Sequence, residues 1–269
     1  MRLGGFVIHG NAAATLGRCL DGLLAVCDEV VAVDSGASDG SAELARARGA
    51  RGISHPWEGY GAARAVAARA LSACDYLFFL DSDEWLEPEA VAKLRAWKAS
   101  RPGAPYYTIV RRDWAELPTG RFLFASDPHV RIARPERASW TPRMLVHEAL
   151  PRAEALPTGA LVEHRFATSI AEFRAKEERY ALLWAIQAHA EGRRAKWPAL
   201  QTPAHAVRLG LLKGALFRGG AAGLALAWGF GRYHARKHAL LRALRRGEHA
   251  ELVRALEEGR LRDLQRMLP

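Results

Sequence analysis

The chain has 269 residues, of which 49% are hydrophobic and 25% charged, with a formal net charge of +10 at pH 7. This composition is typical of a globular protein with one large domain or a domain and an appendage. Its three cysteines, Cys19, Cys27 and Cys74, are odd in number and lack metal-ligand spacing, which argues against a disulfide framework. The first apolar run is too short for a signal peptide or a membrane span, so we expect a cytoplasmic protein.

Strands and helices alternate through the first hundred residues. Short apolar runs predict four strands, in "GGFVIHG", "EVVAVD", "RGISHPW" and "YLFFL". Helical spacing follows the first three, in "NAAATLGRCLDGLLAV", in the residues after Ser41, and in "GYGAARAVAARALSAC". This alternation predicts right-handed βαβ units and an α/β fold, with a mostly parallel sheet flanked by helices.

Two of the predicted strands end in acidic residues. Asp34 follows the second strand, and Asp81, Asp83 and Glu84 follow the fourth. In open α/β sheets this edge binds ligands, so the clustered carboxylates predict a divalent cation with an anionic ligand. The alternative is that Asp34 starts a turn and that one acid of the cluster caps a helix beginning near Pro88. Capping explains one acid, not three.

The positive charge is concentrated towards the C-terminus. Between Arg193 and Arg246 the sequence has twelve Lys and Arg residues and no Asp or Glu. The first 165 residues are mixed in sign and carry the strand and loop signals, whereas the remainder is typical of helix. We therefore expect one domain over residues 1–166 and a basic, helical C-terminal region over residues 167–269.

Taken together, "VVAVDSGASDGS", "WEGYGAARAVAARAL" and "YLFFLDSDEWLEPEAV" resemble the nucleotide-sugar half of family 2 glycosyltransferases, in the lipopolysaccharide core glycosyltransferase-like branch. The resemblance continues through "SDPHVRIARP", "LVHEAL" and "EHRFATSIAEFRAKEERY" into the basic tail. Two positions depart from the family pattern. The loop "HGNAAA" lacks the acid that usually follows the first strand, and Ala65 replaces an Asn.

The resemblance implies a GT-A fold, with a nucleotide-sugar half over residues 1–100 and an acceptor half over residues 101–166. It implies a hexosyltransferase-type enzyme that moves a sugar from a nucleotide diphosphate to an acceptor hydroxyl, with inversion at the anomeric carbon. A Mg²⁺ or Mn²⁺ ion held by carboxylates would stabilise the leaving diphosphate as a Lewis acid.

The resemblance also implies roles for side chains at the donor. Asp83 would contact the metal most directly, Asp81 would serve the metal or the ribose, and His147 would be a third metal ligand. The residues expected at the nucleotide sugar are Asp34, Arg64, Asp81 and Ser82. A guanidinium fork such as that of Arg64 suits a diphosphate, although a solvated helical arginine is the alternative.

An inverting displacement needs a base that takes the proton of the acceptor hydroxyl. By analogy with the family, Asp127 is the expected base. Asp127 precedes Pro128 and a strand-like run, so we expect it on a loop. The alternative to a catalytic role is that Asp127 is a turn acid before the proline. Glu148, in "LVHEAL", is the alternative base.

The C-terminal region contains thirteen uncharged residues, Gly219 to Gly231. This stretch is shorter than the roughly 20 residues that span a bilayer. Because cations flank it, we expect it to lie on an anionic membrane surface, with the apolar side chains of Leu224, Leu226, Trp228 and Phe230 in the headgroup boundary. A buried helix is the alternative. The expected acceptor is a lipid-linked or lipopolysaccharide-type glycan at the inner face of the cytoplasmic membrane.

Two other function classes fit parts of the sequence. A nucleotidyltransferase that makes nucleotide sugars would carry a Gly-rich, basic phosphate loop after the first strand, and "HGNAAATLGR" is a poor version of one. A non-enzymatic basic module would bind nucleic acid or membrane through the tail, but it leaves the acidic cluster unexplained. We expect no nucleic-acid partner.

Overall fold

The first four strands are parallel neighbours, as the alternation of strands and helices predicts. In the computed structural model, which describes residues 1–146 and 148–267, the order of these strands is β3-β2-β1-β4. Their bounds are β1 (Leu3–His9), β2 (Glu29–Asp34), β3 (Arg51–Ser54) and β4 (Tyr76–Asp81). The connecting helices are α1 (Ala13–Val26), α2 (Ser41–Ala47) and α3 (Tyr60–Ala70).

Four further strands complete an eight-stranded mixed sheet. They are β5 (Glu84–Trp85), β6 (Tyr106–Leu117), β7 (Gly120–Ala133) and β8 (Ala155–Ala167), with α4 (Pro88–Ala99) between β5 and β6. The order continues from β4 through β7, β6 and β8 to β5, and β7 is antiparallel to β4 as β5 is to β8. The predicted α/β class with flanking helices is confirmed, and the antiparallel strands all lie beyond β4.

The chain forms two compact units, each described here by itself. The first comprises Met1–Arg112, Asp127–Pro142 and Glu148–His164, and the second comprises Asp113–Ser126 and the remaining described residues. We call the second the helical unit. Its last segment begins at Arg165, close to the predicted boundary after residue 166, but the unit also includes part of the chain before that boundary.

The core of the first unit lies between the parallel strands and α1. Leu16, Leu20 and Leu23 recur at helical spacing, are fully buried, and belong to one apolar cluster with side chains of β1, β2 and β4. The three cysteines are free thiols. A Cβ atom at Gly5 would lie 2.7 Å from the sulfur of Cys27, so the absence of a side chain there lets the thiol approach β1.

The helical unit contains α5 (Ile170–Ala190), α6 (Pro198–Ala206), a π-helical turn (Val207–Leu212), α7 (Ala215–Arg245), α8 (Ala250–Glu257) and α9 (Leu261–Met267). The hydroxyl of Ser169 accepts a hydrogen bond of 3.0 Å from the Glu172 amide, which caps α5. Helix α7 is kinked at Gly220, whose backbone angles are non-helical. Within the described residues, no helix combines the length and apolar character needed to cross a membrane.

We expect Gly231→Ala to destabilise the helical unit, because the added Cβ atom would lie 2.5 Å from the Thr202 carbonyl oxygen of α6. Overpacking of this kind costs about 1–3 kcal/mol. Gly210→Ala is the matched control, since its Cβ atom would meet Leu224 at an ordinary 3.5 Å. Thermal unfolding followed by far-ultraviolet circular dichroism should show a lower midpoint for Gly231→Ala alone. Equal midpoints would contradict the close helix contact.

Candidate functional site

The acidic ends of β2 and β4 lie at the same edge of the parallel sheet. Strand β1 runs between them, with His9 opposite Asp34 and Ile8 opposite Asp81. Since neighbouring strands are about 4.8 Å apart, the two aspartates stand roughly 10 Å apart at the carboxyl ends of the strands. The structure thus brings together the two acidic positions that the sequence singles out.

Two buried arginines hold the carboxylate of Asp81. The Nη2 atom of Arg64 donates to Oδ1 at 2.6 Å, and that of Arg131 donates to Oδ2 at 2.8 Å. Arg64 and Arg131 are only 3% and 6% exposed. The solvated-helix alternative for Arg64 is therefore wrong. Because both oxygens of Asp81 are engaged by guanidinium groups, its carboxylate is a poorer direct metal ligand than the sequence suggests.

Glu84 belongs to the same network and is not a helix cap. It lies in the two-residue strand β5, is 1% exposed, and accepts a hydrogen bond of 3.0 Å from the Asp81 amide. It also accepts a short hydrogen bond from Arg131, and Arg111 lies 3.5 Å away. Helix α4 instead has Glu87 at its N-cap position. The helix-cap prediction fails because backbone pairing with β8 draws Glu84 into the sheet.

The guanidinium groups of both arginines lie near the aromatic ring of Phe79. The guanidinium carbons of Arg64 and Arg131 lie 5.0 Å and 5.6 Å from the ring centre of Phe79. Phe79 in turn packs edge-on against Trp140, with ring centres 5.1 Å apart. Cations attracted to a ring face are fixed in position, so this packing orients the guanidinium groups towards the carboxylates.

The electrostatic balance keeps Asp81 ionised. Burial alone would raise the pKa of the Asp81 carboxyl, but Arg131, then Arg64 and Arg111, hold that pKa well below its usual range. For Glu84, burial is the largest effect and raises its pKa despite the nearby Arg131. A charged Asp81 between two guanidinium groups is thus a fixed element of the site, because opposite charges offset its desolvation.

Ser82 and Asp83 occupy the turn between β4 and β5 and are partly exposed. The Oδ2 atom of Asp83 lies 3.4 Å from Nε2 of His164, which is buried on β8. His147, the predicted third metal ligand, lies outside the described residues. Among the residues that are described, no group of three or more His, Cys, Asp or Glu side chains is arranged to hold a metal ion.

The two candidate bases differ in their surroundings. Glu148 accepts a hydrogen bond of 2.8 Å from Nε of Arg64, so one guanidinium joins it to Asp81. The indole of Trp140 donates to the Glu148 carbonyl at 2.9 Å. Asp127 lies within β7 rather than on the predicted loop. A proline next to it does not end the strand, because proline is tolerated where no ladder hydrogen bond is needed.

The position of Asp127 follows from the pairing of β7 with β4. Leu77 pairs with Ala133 and Phe78 with Ile132 in antiparallel register. Continued along both strands, this register sets Asp81 opposite residue 129 and carries Asp127 two residues, or about 7 Å, past the end of β4. The same register sets Asp127 opposite Asp83, in the turn that follows β4.

Asp34 forms the turn that follows β2. Its Oδ1 atom accepts hydrogen bonds from the amides of Gly36 at 3.0 Å and Ala37 at 2.7 Å. Gly36 has a positive φ of 99°, a conformation that favours glycine. Asp34 therefore forms a turn through its Oδ1 atom, as the alternative interpretation predicts. Contact of Asp34 with a nucleotide stays a prediction.

The loops after β1 and β2 are tied to each other. Asn11, in the loop that lacks the expected acid, accepts a hydrogen bond of 2.7 Å from the Ser38 amide. Asp39 accepts one of 2.9 Å from the Ala13 amide at the start of α1. Hydrogen bonds from Ser41 and then Ala13 lower the pKa of Asp39. Residues of the second loop therefore cap α1, whose own N-cap residue has no side-chain hydrogen bond.

Sequence reasoning missed Arg131 and His164. Arg131 interrupts an apolar stretch of β7, and a charged residue in a buried strand indicates a buried partner of opposite charge. The sequence does not indicate which partner, since fifty residues separate Arg131 from Asp81. His164 follows the apolar run of β8, and its proximity to Asp83 depends on the pairing of β5 with β8.

Comparisons with known proteins identify the family of the chain. Residues 6–159, more than half of the chain, match the family described as Glycosyl transferase family 2. The matched range contains both donor-side acids, the buried arginines and both candidate bases. The chain therefore belongs to glycosyl transferase family 2, which confirms the resemblance seen in the sequence and the predicted enzyme class.

The chain is also similar to individual proteins. It is 33% identical over 88 residues to an uncharacterized glycosyltransferase of Rickettsia felis, covering 33% of this chain and 31% of that protein. It is 32% identical over 114 residues to the lipopolysaccharide core biosynthesis glycosyltransferase LpsC of Rhizobium meliloti, covering 37% and 42%. The chain spans about a third of the length of the first curated relatives it matches.

Among solved structures, the chain is similar to S. aureus TarS, residues 1–349. The identity is 15%, the TM-score is 0.43, and the alignment covers 92% of each chain. The fold assignment above depends on the strand order and on the family match rather than on this similarity.

We expect Arg131→Met to destabilise the first unit strongly, because it leaves the buried Glu84 and the partly exposed Asp81 without their shared guanidinium partner. Removing one member of a buried ion pair costs about 3–5 kcal/mol. Arg121→Met is the matched control on the same strand, since Arg121 is half exposed and pairs with Glu116 at 3.2 Å, and exposed pairs contribute about 0–1 kcal/mol. Urea unfolding should separate the two variants. Similar midpoints would show that the network does not stabilise the fold.

Proposed function

We propose that the protein is an inverting glycosyltransferase that moves a sugar from a nucleotide-diphosphate sugar to the hydroxyl of a glycan acceptor. One observation supports this most strongly. The Asp81-Ser82-Asp83 turn stands at the carboxyl edge of the parallel strands, with Asp81 fixed by two buried arginines, within the segment that matches the family. An anchored Asp81 leaves Asp83, which is partly exposed, to face the donor.

The site residues fit a divalent cation with some ligands from the donor itself. Asp83 would hold the ion, and His164, whose Nε2 atom lies 3.4 Å from the Asp83 carboxylate, would be a nitrogen ligand. A bound Mg²⁺ or Mn²⁺ would supply Lewis-acid stabilisation of the diphosphate leaving group. Asp81 would then position Asp83 and the ribose rather than bind the ion directly.

The proton of the acceptor hydroxyl must pass to a carboxylate as the new glycosidic bond forms and the bond to the diphosphate breaks. We assign this role to Asp127, which lies beyond the end of β4 in the continued register. Glu148 remains the alternative. Its carboxylate is already engaged by a hydrogen bond of 2.8 Å from Nε of Arg64, so a role in orienting Arg64 suits Glu148 better.

The acceptor that we propose is a lipid-linked or lipopolysaccharide-type glycan at the cytoplasmic face of the inner membrane. The support is the acid-free basic segment from Arg193 to Arg246, which suits an anionic surface. The similarity to a protein named as a lipopolysaccharide core biosynthesis glycosyltransferase points to the same class of acceptor.

We expect Asp83→Asn to lower kcat/KM by a factor on the order of 1,000, because it removes the charge that holds the cation under the diphosphate. Release of nucleoside diphosphate from a panel of nucleotide sugars measures this. Glu89→Gln, an exposed acid in the first turn of α4, is the control and should leave turnover unchanged. Full turnover in Asp83→Asn, or in the parent protein with excess chelator, would contradict a metal-assisted mechanism.

The base is tested by two variants measured in parallel. Asp127→Asn should lower kcat by a factor of about 100 or more while donor binding stays unchanged, because the base acts only on the acceptor proton in the transition state. Glu148→Gln should instead weaken thermal stability, since it takes one carboxylate from Arg64. If Glu148→Gln loses kcat selectively and Asp127→Asn does not, the two roles must be exchanged.

A further inference from the structure

Most of the exposed large apolar side chains fall in one part of the helical unit. Of the twelve found in the described residues, eight lie between positions 197 and 228. They are Trp197, Leu200, Val207, Leu211, Leu212, Phe217, Leu224 and Trp228. A concentration of this kind is unusual, because exposed apolar residues are normally scattered singly over a protein surface.

Four of these side chains form a stripe along α6 and the π-helical turn. Trp197, Leu200, Val207 and Leu211 follow one another at intervals of three, seven and four residues, which places them on one face of a helical segment. Trp197 is 70% exposed. The guanidinium of Arg242 lies 5.0 Å from the Trp197 ring centre, so a cation accompanies the indole.

The stripe leads to a turn that holds two large side chains outward. Leu212 and Phe217, on either side of Gly214, are 80% and 79% exposed. The Arg218 guanidinium donates to the carbonyl oxygens of Leu123 at 2.5 Å and Phe124 at 3.3 Å. These bonds fix the turn to other residues of the same unit.

The side chains of Leu212 and Phe217 are therefore exposed although the segment that carries them is held firmly by hydrogen bonds and packing. Lys213 donates to the Ser126 carbonyl oxygen at 3.2 Å, and Leu209 and Ala215 are buried in the core on either side of the turn. The same short segment thus supplies buried apolar residues to the core and holds others out in the solvent. A fixed apolar projection suits a partner into which it can insert.

The stretch that the sequence predicts to be membrane-facing, Gly219 to Gly231, is only partly available. Leu226 is fully buried, and Phe230 is partly buried beside the core of the unit. Leu224 and Trp228 remain exposed. The prediction that all four side chains face lipid is wrong, because one face of α7 packs against the core. The more exposed apolar side chains lie earlier in the chain.

The surrounding charge decides which partner the surface fits. Between Arg193 and Arg246, the cations Arg193, Arg236 and Arg246 pair with carboxylates outside that segment, those of Glu191, Glu178 and Glu248. Arg194, Lys196 and Arg208, which are all exposed, lie beside the stripe in sequence. A positive field around an apolar projection complements an anionic lipid surface, since phospholipid headgroups attract the cations and acyl chains accept the apolar groups.

We propose that an anionic phospholipid bilayer is the partner of this surface, and that Trp197, Leu200, Val207, Leu211, Leu212 and Phe217 enter its headgroup boundary. We call these six residues the lipid-facing surface. The inference deepens the proposed function, on whose membrane-bound acceptor it rests. It assigns the insertion to α6, the π-helical turn and the first turn of α7 rather than to Gly219–Gly231. Insertion is shallow, because α6 lies along the surface with its apolar face inward.

The test is flotation of the full chain with vesicles of equal parts phosphatidylcholine and phosphatidylglycerol, and with vesicles of phosphatidylcholine alone. Leu212→Ser combined with Phe217→Ser should lower the partition coefficient on the anionic vesicles by a factor on the order of 100, since two large apolar side chains no longer leave water. Leu24→Ser combined with Leu156→Ser, two exposed leucines outside the helical unit, is the matched control and should float like the parent chain.

Far-ultraviolet circular dichroism establishes that both double variants are folded, and nucleoside diphosphate release measures donor turnover separately. Loss of flotation by the Leu212 and Phe217 variant, with turnover retained, is the expected result. Equal flotation of the parent chain and that variant overturns the inference. It is also overturned if the parent chain binds no vesicles but forms a concentration-dependent dimer that the variant abolishes. A parent chain that floats but releases no nucleoside diphosphate supports the surface and contradicts the proposed function.

Discussion

The buried contact between Asp81 and the guanidinium groups of Arg64 and Arg131 is the interaction on which the candidate site depends. It joins the end of a parallel strand, a helix and an antiparallel strand through one carboxylate. Glu84 and Glu148 extend it, so that three carboxylates share the charge of three arginines once Arg111 is included. Any movement of Asp81 would break its hydrogen bonds to both guanidinium groups, which keeps the neighbouring turn in place.

This network changes how the acidic turn is understood. From the sequence alone, three carboxylates in four residues call for an external cation to neutralise them. In the structure, Asp81 and Glu84 are already paired with arginines of the protein, whereas Asp83 has His164 beside it. The division is physically sensible, because an enzyme benefits from one carboxylate that the protein holds rigidly and a second one that meets the ligand. The same reasoning separates the two candidate bases, since Glu148 belongs to the rigid network.

Much of the fold could be predicted because its signals are local. The apolar run of β4 and the leucine spacing of α1 report strand and helix within a few residues, and alternation then predicts a parallel sheet. The acids at the ends of β2 and β4 could be placed at one edge for the same reason.

Strand β5 could not be predicted, because two residues carry no periodicity. The partners of Arg131 could not be predicted either, because they depend on long-range pairing. The expectation that Leu226 and Phe230 face lipid fails for a related reason. An uncharged stretch shows that a segment is apolar, but only packing decides which of its side chains are buried.

We propose that the turn at Ser82 and Asp83, held by Asp81 and its arginines, binds the diphosphate of a nucleotide sugar. The decisive measurement is calorimetric titration of nucleoside diphosphates in the presence of Mn²⁺, on the parent protein and on the Asp83→Asn and Asp127→Asn variants. We expect tight binding of one nucleoside diphosphate to the parent and to Asp127→Asn, and loss of that binding in Asp83→Asn. Equal binding by all three proteins, or binding that Asp127→Asn alone abolishes, would contradict it.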